Sequence, residues 1–230
     1  MTWMVRFSNN GRSSHNNFPW APVGVWTEAP DWDPRPVCGG GLHGQGPGGW
    51  GHAQAGTQFE FCEIDPDAGL VIVKDDKLKC RRARIVAIDA EAWRQVLAHL
   101  PDGAFPGSLD LRDYPHPLPA GLTRIGGGLH VEGYPHPLPA GLTSIGGWLA
   151  LRRYPHPLPA GLTSIGDWLD VGGYSHPLPA GLTSIGGWLD LVGYPHPLPA
   201  GLTSIGGWLT LLGYPHPLPA GLTVHGAIYR

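Results

Sequence analysis

A repeat of 20 residues dominates the second half of this chain and limits what it can fold into. The octet PHPLPAGL occurs unchanged from residues 115, 135, 155, 195 and 215, and a further copy at 175–182 differs only by Ser175 in place of proline. Self-similarity at a fixed period of this length is typical of a solenoid. Each repeat then forms one coil that stacks on its neighbours.

The residues within one repeat predict a single short strand. Leu189 and Leu191 alternate with Trp188, Asp190 and Val192, so the leucines point inward and the other side chains outward. The segment after them has a proline at every second position. Because proline lacks an N–H and disfavours helix in the residue before it, this return is predicted to be extended, PPII-like backbone with no helix. Parallel strands are expected at Leu109-Leu111, Leu129-Val131, Leu149-Leu151, Leu169-Val171, Leu189-Leu191 and Leu209-Leu211.

The glycine and proline content is high but periodic. The chain has 36 glycines and 26 prolines, a proportion that indicates disorder when it has no period. Here these residues are interleaved with Leu, Ile and Trp in each copy, which favours an ordered array. Gly186 and Gly187 precede the strand, and we interpret them as permitting a tight turn.

The pattern LPAGLTSIGGWLDLxGY, over residues 105–230, resembles the short leucine-rich repeats of bacterial proteins, including secreted effector ligases. The resemblance implies a right-handed solenoid whose strands line a concave, ligand-binding face. Tyrosine stands where many such repeats place asparagine, so their usual asparagine ladder is not expected. No ligase-like catalytic domain follows the repeats, so no ligase activity is expected. The stretches APDWDPRPVCGGGLHG and KLKCRRARIV resemble an uncharacterised domain that precedes repeat arrays in bacterial and phage proteins.

Residues 1–88 predict a small separate domain. Tryptophans lie among loops there, and three strand-like runs, TQFEFCEI, GLVIVKD and KLKCRRARIVAI, predict an antiparallel meander. Asp89 is a predicted helix N-cap, and Trp93, Val96, Leu97 and Leu100 form one apolar stripe. Residues 89–104 are interpreted as a helix and linker that cap the array. The predicted fold is an α+β N-terminal domain (1–88), this capping segment, and a leucine-rich-repeat solenoid (105–230) with PPII-like returns.

Variation between the copies is concentrated on the outward side of the strand. A frame of fixed Leu, Ile, Gly and Pro with a varied strand face is typical of an interaction surface, and tryptophan is enriched at binding hot spots. Drift after recent duplication, or a purely structural aromatic ladder, are the alternatives. The predicted binding residues are Trp148, Trp168, Trp188, Trp208, His130, Asp170, Asp190, Thr210, Glu132 and Arg152.

Two further columns repeat along the array. A histidine column (His116, His136, His156, His176, His196 and His216) raises the possibility of a metal site. No carboxylate or cysteine accompanies it, so a stacked ladder is favoured and no metal or other cofactor is expected. A threonine column from Thr123 to Thr223 resembles the hydroxyl rows of ice-binding solenoids, but one column is not a flat array.

The signals for an enzyme are weak. Cys38 and His43 in CGGGLHG are a candidate nucleophile and base without an identifiable orienting residue. Cys38, His43, Cys62 and Cys80 have the number of ligands that Zn²⁺ requires but no short-spaced pair. Buried structural cysteines are favoured, and the expectation is a non-enzymatic protein.

Composition and charge exclude other classes of function. The net charge is −3 and no basic arm is present, so nucleic acid is not an expected partner. No apolar run approaches the ~20 residues that span a bilayer. No signal peptide is recognised, and free thiols are typical of a reducing cytosol, so a cytoplasmic location is expected.

The final copy, GLTVHGAIYR, predicts self-association. We interpret His225 as replacing the isoleucine of earlier copies and Ile228 as keeping the inward leucine position. An uncapped last coil would expose apolar side chains and an unpaired strand edge. The expected partner is a protein or another copy of this chain, and a twofold homodimer through residues 215–230, with His225, Ile228 and Tyr229 in its contact, is the favoured assembly.

Overall fold

The structure is a computed structural model that describes residues 2–13, 17–37, 39–46, 56–73, 77–100 and 102–230. The chain divides into two compact units. The first comprises Met1–Pro101 and Pro106–His116, and the second comprises Asp102–Phe105 and Pro117–Arg230.

The first unit contains an antiparallel sheet of eight strands. Its strands are β1 (Trp3–Asn9), β2 (Arg12–Ser13), β3 (Trp26–Glu28), β4 (Leu42–Gln45), β5 (Gln58–Ile64), β6 (Leu70–Ile72), β7 (Lys77–Cys80) and β8 (Arg82–Ile88). Their order is β3-β8-β5-β1-β4-β7-β6, with β2 paired to β1. The sheet is antiparallel as predicted, but it is not a simple meander.

The predicted loops contribute half of these strands. β1 lies at the centre of the sheet, where its Val5 pairs with both Gln45 of β4 and Phe61 of β5. Six consecutive residues of β1 are buried, so this strand has no polar alternation that would reveal it. The run KLKCRRARIVAI, expected as one strand, is divided at Arg81 into β7 and β8.

One helix, α1 (Asp89–Ala98), follows β8 within the first unit. Trp93 and Val96 of the predicted stripe are buried, and the indole of Trp93 stacks on the ring of Phe59. The prediction of Asp89 as N-cap is wrong: Ile88 holds that position and makes no side-chain cap. The carboxylate of Asp89 instead accepts a hydrogen bond from the backbone N–H of Phe59 at 3.0 Å.

The second unit is a parallel β-solenoid with a 20-residue repeat and no helix among the residues described. Each coil contributes two strands of two residues. One sheet contains β9 (Ala104–Phe105), β11 (Arg124–Ile125), β13 (Ser144–Ile145), β15 (Ser164–Ile165), β17 (Ser184–Ile185), β19 (Ser204–Ile205) and β21 (Thr223–Val224). The other contains β12 (Leu129–His130), β14 (Leu149–Ala150), β16 (Leu169–Asp170), β18 (Leu189–Asp190), β20 (Leu209–Thr210) and β22 (Ile228–Tyr229). β10 (Leu109–Asp110) belongs to the segment assigned to the first unit.

The predicted leucine strands are therefore present, and the Ser-Ile strands are an addition to the prediction. Register is one whole repeat, so Leu169 pairs with Leu149 and Ile165 with Ile145. Identical side chains stack in columns, and the inward Leu and Ile columns are buried throughout the inner coils. This continuous apolar core stabilises the array.

The glycine columns allow close packing between coils. A Cβ built on Gly186 would lie 2.1 Å from the carbonyl oxygen of Gly166, and Gly206 has the same relation to Gly186 at 2.0 Å. The chain bends at Gly186 and Gly187 between the two strands of the coil, and neither residue has a positive φ. Left-handed backbone occurs instead in the column before the tyrosines, at Gly133, Gly173, Gly193 and Gly213, and also at Arg153 with φ 53°.

A ladder of tyrosine hydroxyls joins successive coils. The buried hydroxyl of Tyr154 accepts a hydrogen bond from the backbone N–H of Leu138 at 2.8 Å and donates one to the carbonyl of His136 at 3.0 Å. Equivalent pairs recur at Tyr174, Tyr194 and Tyr214. Each coil thus satisfies polar backbone groups in the proline-rich return of the coil before it.

Candidate interaction face

The sheet that contains the even-numbered strands from β12 to β22 has three adjacent columns of side chains on its outward side. We call this surface the Trp face. The Trp column contains Trp148, Trp168, Trp188 and Trp208. The polar column contains His130, Ala150, Asp170, Asp190 and Thr210, and the corner column contains Glu132, Arg152, Gly172, Val192 and Leu212. All ten sequence-predicted binding residues lie on this face.

The four indoles form a continuous stack. Ring centroids of Trp148 and Trp168 are 5.1 Å apart, those of Trp168 and Trp188 are 5.0 Å apart, and both pairs are within 7° of parallel. Trp188 and Trp208 are 6.3 Å apart at 22°. The faces of neighbouring indole rings therefore cover each other, so the ladder contributes to packing between coils. The first three indoles are nevertheless only half-buried and remain partly accessible to solvent.

The ladder begins at a glycine for a steric reason. A Cβ on Gly128 would lie 2.2 Å from the indole of Trp148, so Trp148 occupies the space above that residue. The imidazole of His130 meets Trp148 edge-on, with centroids 6.0 Å apart. At the other end, Trp208 is 49% exposed.

The aspartates of the polar column cap the turn that follows each strand, a role that was not predicted from the sequence. A carboxylate oxygen of Asp170 accepts the backbone N–H of Gly172 at 2.8 Å, and Asp190 accepts that of Val192 at 3.0 Å. These bonds fix the turn that follows each strand. The residue spacing i to i+2 was the available signal.

Charged residues of the face interact across and within coils. Nε of Arg152 lies 3.4 Å from a carboxylate oxygen of Asp170 in the next coil. Nε2 of His130 lies 3.5 Å from the carboxylate of Glu132. Farther along, the corner column becomes apolar, with Val192 47% and Leu212 53% exposed. Both residues belong to a column that varies from coil to coil.

The last coil differs from its prediction in register. Val224, not His225, pairs with Ile205 and takes the isoleucine position, and His225 is exposed at the position of Gly206. The cause is a one-residue deletion in the final copy. Ile228 pairs with Leu209 as predicted, and Ile228 and Tyr229 are 43% and 52% exposed.

The histidine and threonine columns make hydrogen bonds between coils. Nε2–H of His156 donates to the carbonyl of Pro135 at 2.8 Å, and His176, His196 and His216 repeat this contact. The hydroxyl of Thr163 donates to the carbonyl of Thr143 at 3.1 Å. Nε2 of each of these histidines is thus engaged, and the described residues contain no group of three His, Cys, Asp or Glu placed to hold a metal.

Three of the four residues predicted as a catalytic or zinc site, His43, Cys62 and Cys80, lie among the described residues of the first unit. Cys38 lies outside the described residues, and His43 is half-buried on β4. Cys62 and Cys80 are buried, and burial raises the pKa of the Cys62 thiol well above its usual value and that of Cys80 to about 12. Both thiols are therefore protonated and weakly nucleophilic at neutral pH.

Buried charges in the first unit are internally paired. Arg6 forms an ion pair with Glu60 at 2.6 Å, and its guanidinium lies over the indole of Trp20. Burial raises the pKa of Glu60, against the influence of Arg6. The ammonium of Lys79 donates to the carbonyls of Val37 and Gly39 at 2.9 Å. These contacts hold loops against the sheet.

Comparison with models of known protein families, with curated proteins and with solved structures finds no match for this chain. Among the described residues, no helix has the length and apolar character needed to cross a membrane. The geometry of the Trp face is consequently the main guide to function.

Proposed function

We propose that this chain is a non-enzymatic recognition module that binds a protein partner on the Trp face. The observation that carries the proposal is the stack of partly exposed indoles, with the exposed Val192 and Leu212 on the same face. Exposed apolar patches on globular proteins mark interaction sites, and tryptophan is enriched among the residues that contribute most to binding.

The array supports this function as a frame. We infer that it is a short leucine-rich-repeat solenoid of bacterial type, from its 20-residue period and inward leucine columns. The frame columns are nearly constant, while the polar and corner columns change from coil to coil. The buried thiols of Cys62 and Cys80 are unpaired with each other, which favours action in the cytoplasm.

The test compares variants that differ only in which face is altered. Proteins retained by the immobilised full chain are identified, and each is then tested as a purified component. We expect binding of the partner to be abolished by the double substitution Val192→Asn with Leu212→Asn, and separately by Trp188→Ala. Ala180→Asn with Ala200→Asn, at exposed positions of the same coils outside the Trp face, are expected to leave it unchanged. If the alanine-to-asparagine variants lose as much binding as the variants of the Trp face, the Trp face is not the binding site.

Self-association is the second candidate, favoured by one observation. Ile228 stands in a column whose other members are buried, yet 43% of it is exposed, and Tyr229 beside it is 52% exposed. A second copy of the chain contacting this surface would form a twofold homodimer.

A further inference from the structure

The charged side chains of the coils after Arg153 are all negative and lie near the Trp column. Between residues 154 and 229 the only Asp, Glu, Lys or Arg residues are Asp167, Asp170 and Asp190. Asp170 and Asp190 belong to the polar column of the Trp face. Asp167 immediately precedes Trp168 and is exposed. Three carboxylates therefore lie beside the Trp column, on the same face as the exposed Val192 and Leu212.

These carboxylates keep capacity for an external cation. One oxygen of Asp190 caps its turn, and within the part of the chain that the structure describes neither Asp167 nor Asp190 has a cationic partner. Asp170 alone is near a guanidinium, that of the 64% exposed Arg152 at 3.4 Å. An approaching lysine or arginine would meet at least two unneutralised carboxylates beside an apolar surface.

We propose that the partner of the Trp face is a basic protein segment in which Lys or Arg alternates with apolar side chains. This inference rests on the proposed function and specifies its partner. The cationic groups pair with Asp167 and Asp190, and their aliphatic stems and apolar neighbours pack on the indole edges, Val192 and Leu212. Stacking covers both faces of Trp168 and Trp188, so beside these rings the carboxylates supply the site for the cation.

Charge also selects against the other occupants. A twofold contact between two copies of the Trp face would oppose Asp170 and Asp190 to carboxylates of the same kind, and like charges facing each other destabilise an interface. Nucleic acid would bring phosphates against the same carboxylates. A basic segment is the occupant whose charge complements this surface.

The experiment uses the full chain and three fluorescently labelled synthetic peptides that alternate leucine with lysine, glutamate or serine. Anisotropy is expected to show the lysine peptide binding about tenfold or more tightly than the glutamate peptide. Raising NaCl from about 0.05 M to about 0.5 M should weaken the lysine peptide about tenfold. Asp167→Asn with Asp190→Asn should weaken it about fivefold. Asparagine keeps the oxygen that caps the turn, so the fold is preserved.

The controls separate this inference from the proposed function. Asp67→Asn with Asp102→Asn removes two exposed carboxylates outside the Trp face and should change nothing. The proposal of a basic partner is wrong if the glutamate or serine peptide binds as tightly as the lysine peptide. It is also wrong if the two pairs of aspartate substitutions weaken binding equally. In either case, loss of peptide binding in Trp188→Ala still supports the Trp face as the binding site. If no peptide binds, the inference is overturned. If peptides bind and Trp188→Ala and Leu212→Asn change nothing, the proposed function fails as well.

Discussion

The backbone N–H of Leu158 donates a hydrogen bond of 2.9 Å to the hydroxyl of Tyr174, which belongs to the following coil. Both residues are buried, so water cannot replace the hydroxyl if it is removed. The contact joins two coils through a backbone group in a segment with a proline at every second position.

Tyr174→Phe is expected to lower the free energy of unfolding of the full chain by about 1–3 kcal/mol, because the N–H of Leu158 loses its acceptor in a buried site. Urea denaturation measures the change. Tyr229→Phe, at an exposed tyrosine, is the control and should have little effect. Equal stability of the Tyr174 variant and the wild type would show that the ladder contributes nothing.

Alkaline pH should unfold the solenoid through the same tyrosines. Burial raises the pKa of Tyr174 from 10.0 to about 12, and it raises the pKa of Tyr134, Tyr154 and Tyr194 in the same direction. A raised pKa in the folded state gives stability that is complete below pH 10 and is lost as the pH rises towards 12. Urea midpoints measured across this range should fall steeply, and less steeply when several of these tyrosines are phenylalanine.

Two glycines of one coil should respond differently to alanine. Gly186→Ala places a Cβ 2.1 Å from a backbone oxygen of the preceding coil, and we expect a loss of at least about 2 kcal/mol in stability. Gly181→Ala is the matched control, because its Cβ would meet no atom closer than 3.5 Å. Thermal denaturation of both variants compares them. Similar stability would contradict the tight approach of the coils.

Arg153→Gly should stabilise the chain. Arg153 has φ 53°, in a column whose members Gly133, Gly173 and Gly193 have φ of 68–71°. Relief of the left-handed conformation exceeds the added freedom of glycine in the unfolded state, for a net gain of roughly 0.5–1 kcal/mol. The converse change, Gly193→Arg, should destabilise by a similar amount. Urea denaturation midpoints of the two variants measure these changes. A lower midpoint for Arg153→Gly than for the wild type would show that the left-handed conformation of Arg153 does not cost stability.

Ile228→Lys tests the homodimer. If copies associate through the last coil, light scattering of the wild type gives about twice the monomer mass, and a lysine in the contact returns it to the monomer. Val192→Lys, on the Trp face but outside the last coil, is the control and should leave the mass unchanged. A wild-type monomer at high protein concentration would exclude this assembly.

The repeat made the solenoid predictable because period, inward leucines and proline spacing all act locally. The Ser-Ile strands were missed because two residues are too few to show alternation. β1 was missed because six consecutive residues are buried, so both faces of the strand are covered and no polar alternation marks it. The outward residues of the Trp face followed from the alternation around Leu189. The turn-capping role of Asp190 depends on side-chain geometry, and the register of His225 depends on a one-residue deletion in the final copy, so the repeat pattern alone predicted neither.

The tyrosine ladder also bears on how the array can change in length. Each coil supplies the hydroxyl that completes the coil before it, and Tyr154, Tyr174, Tyr194 and Tyr214 make these junctions with the same partners. Loss or gain of a whole 20-residue unit would therefore leave every remaining junction intact. The number of coils, and with it the extent of the Trp face, can therefore differ without any change in the fold of a single coil.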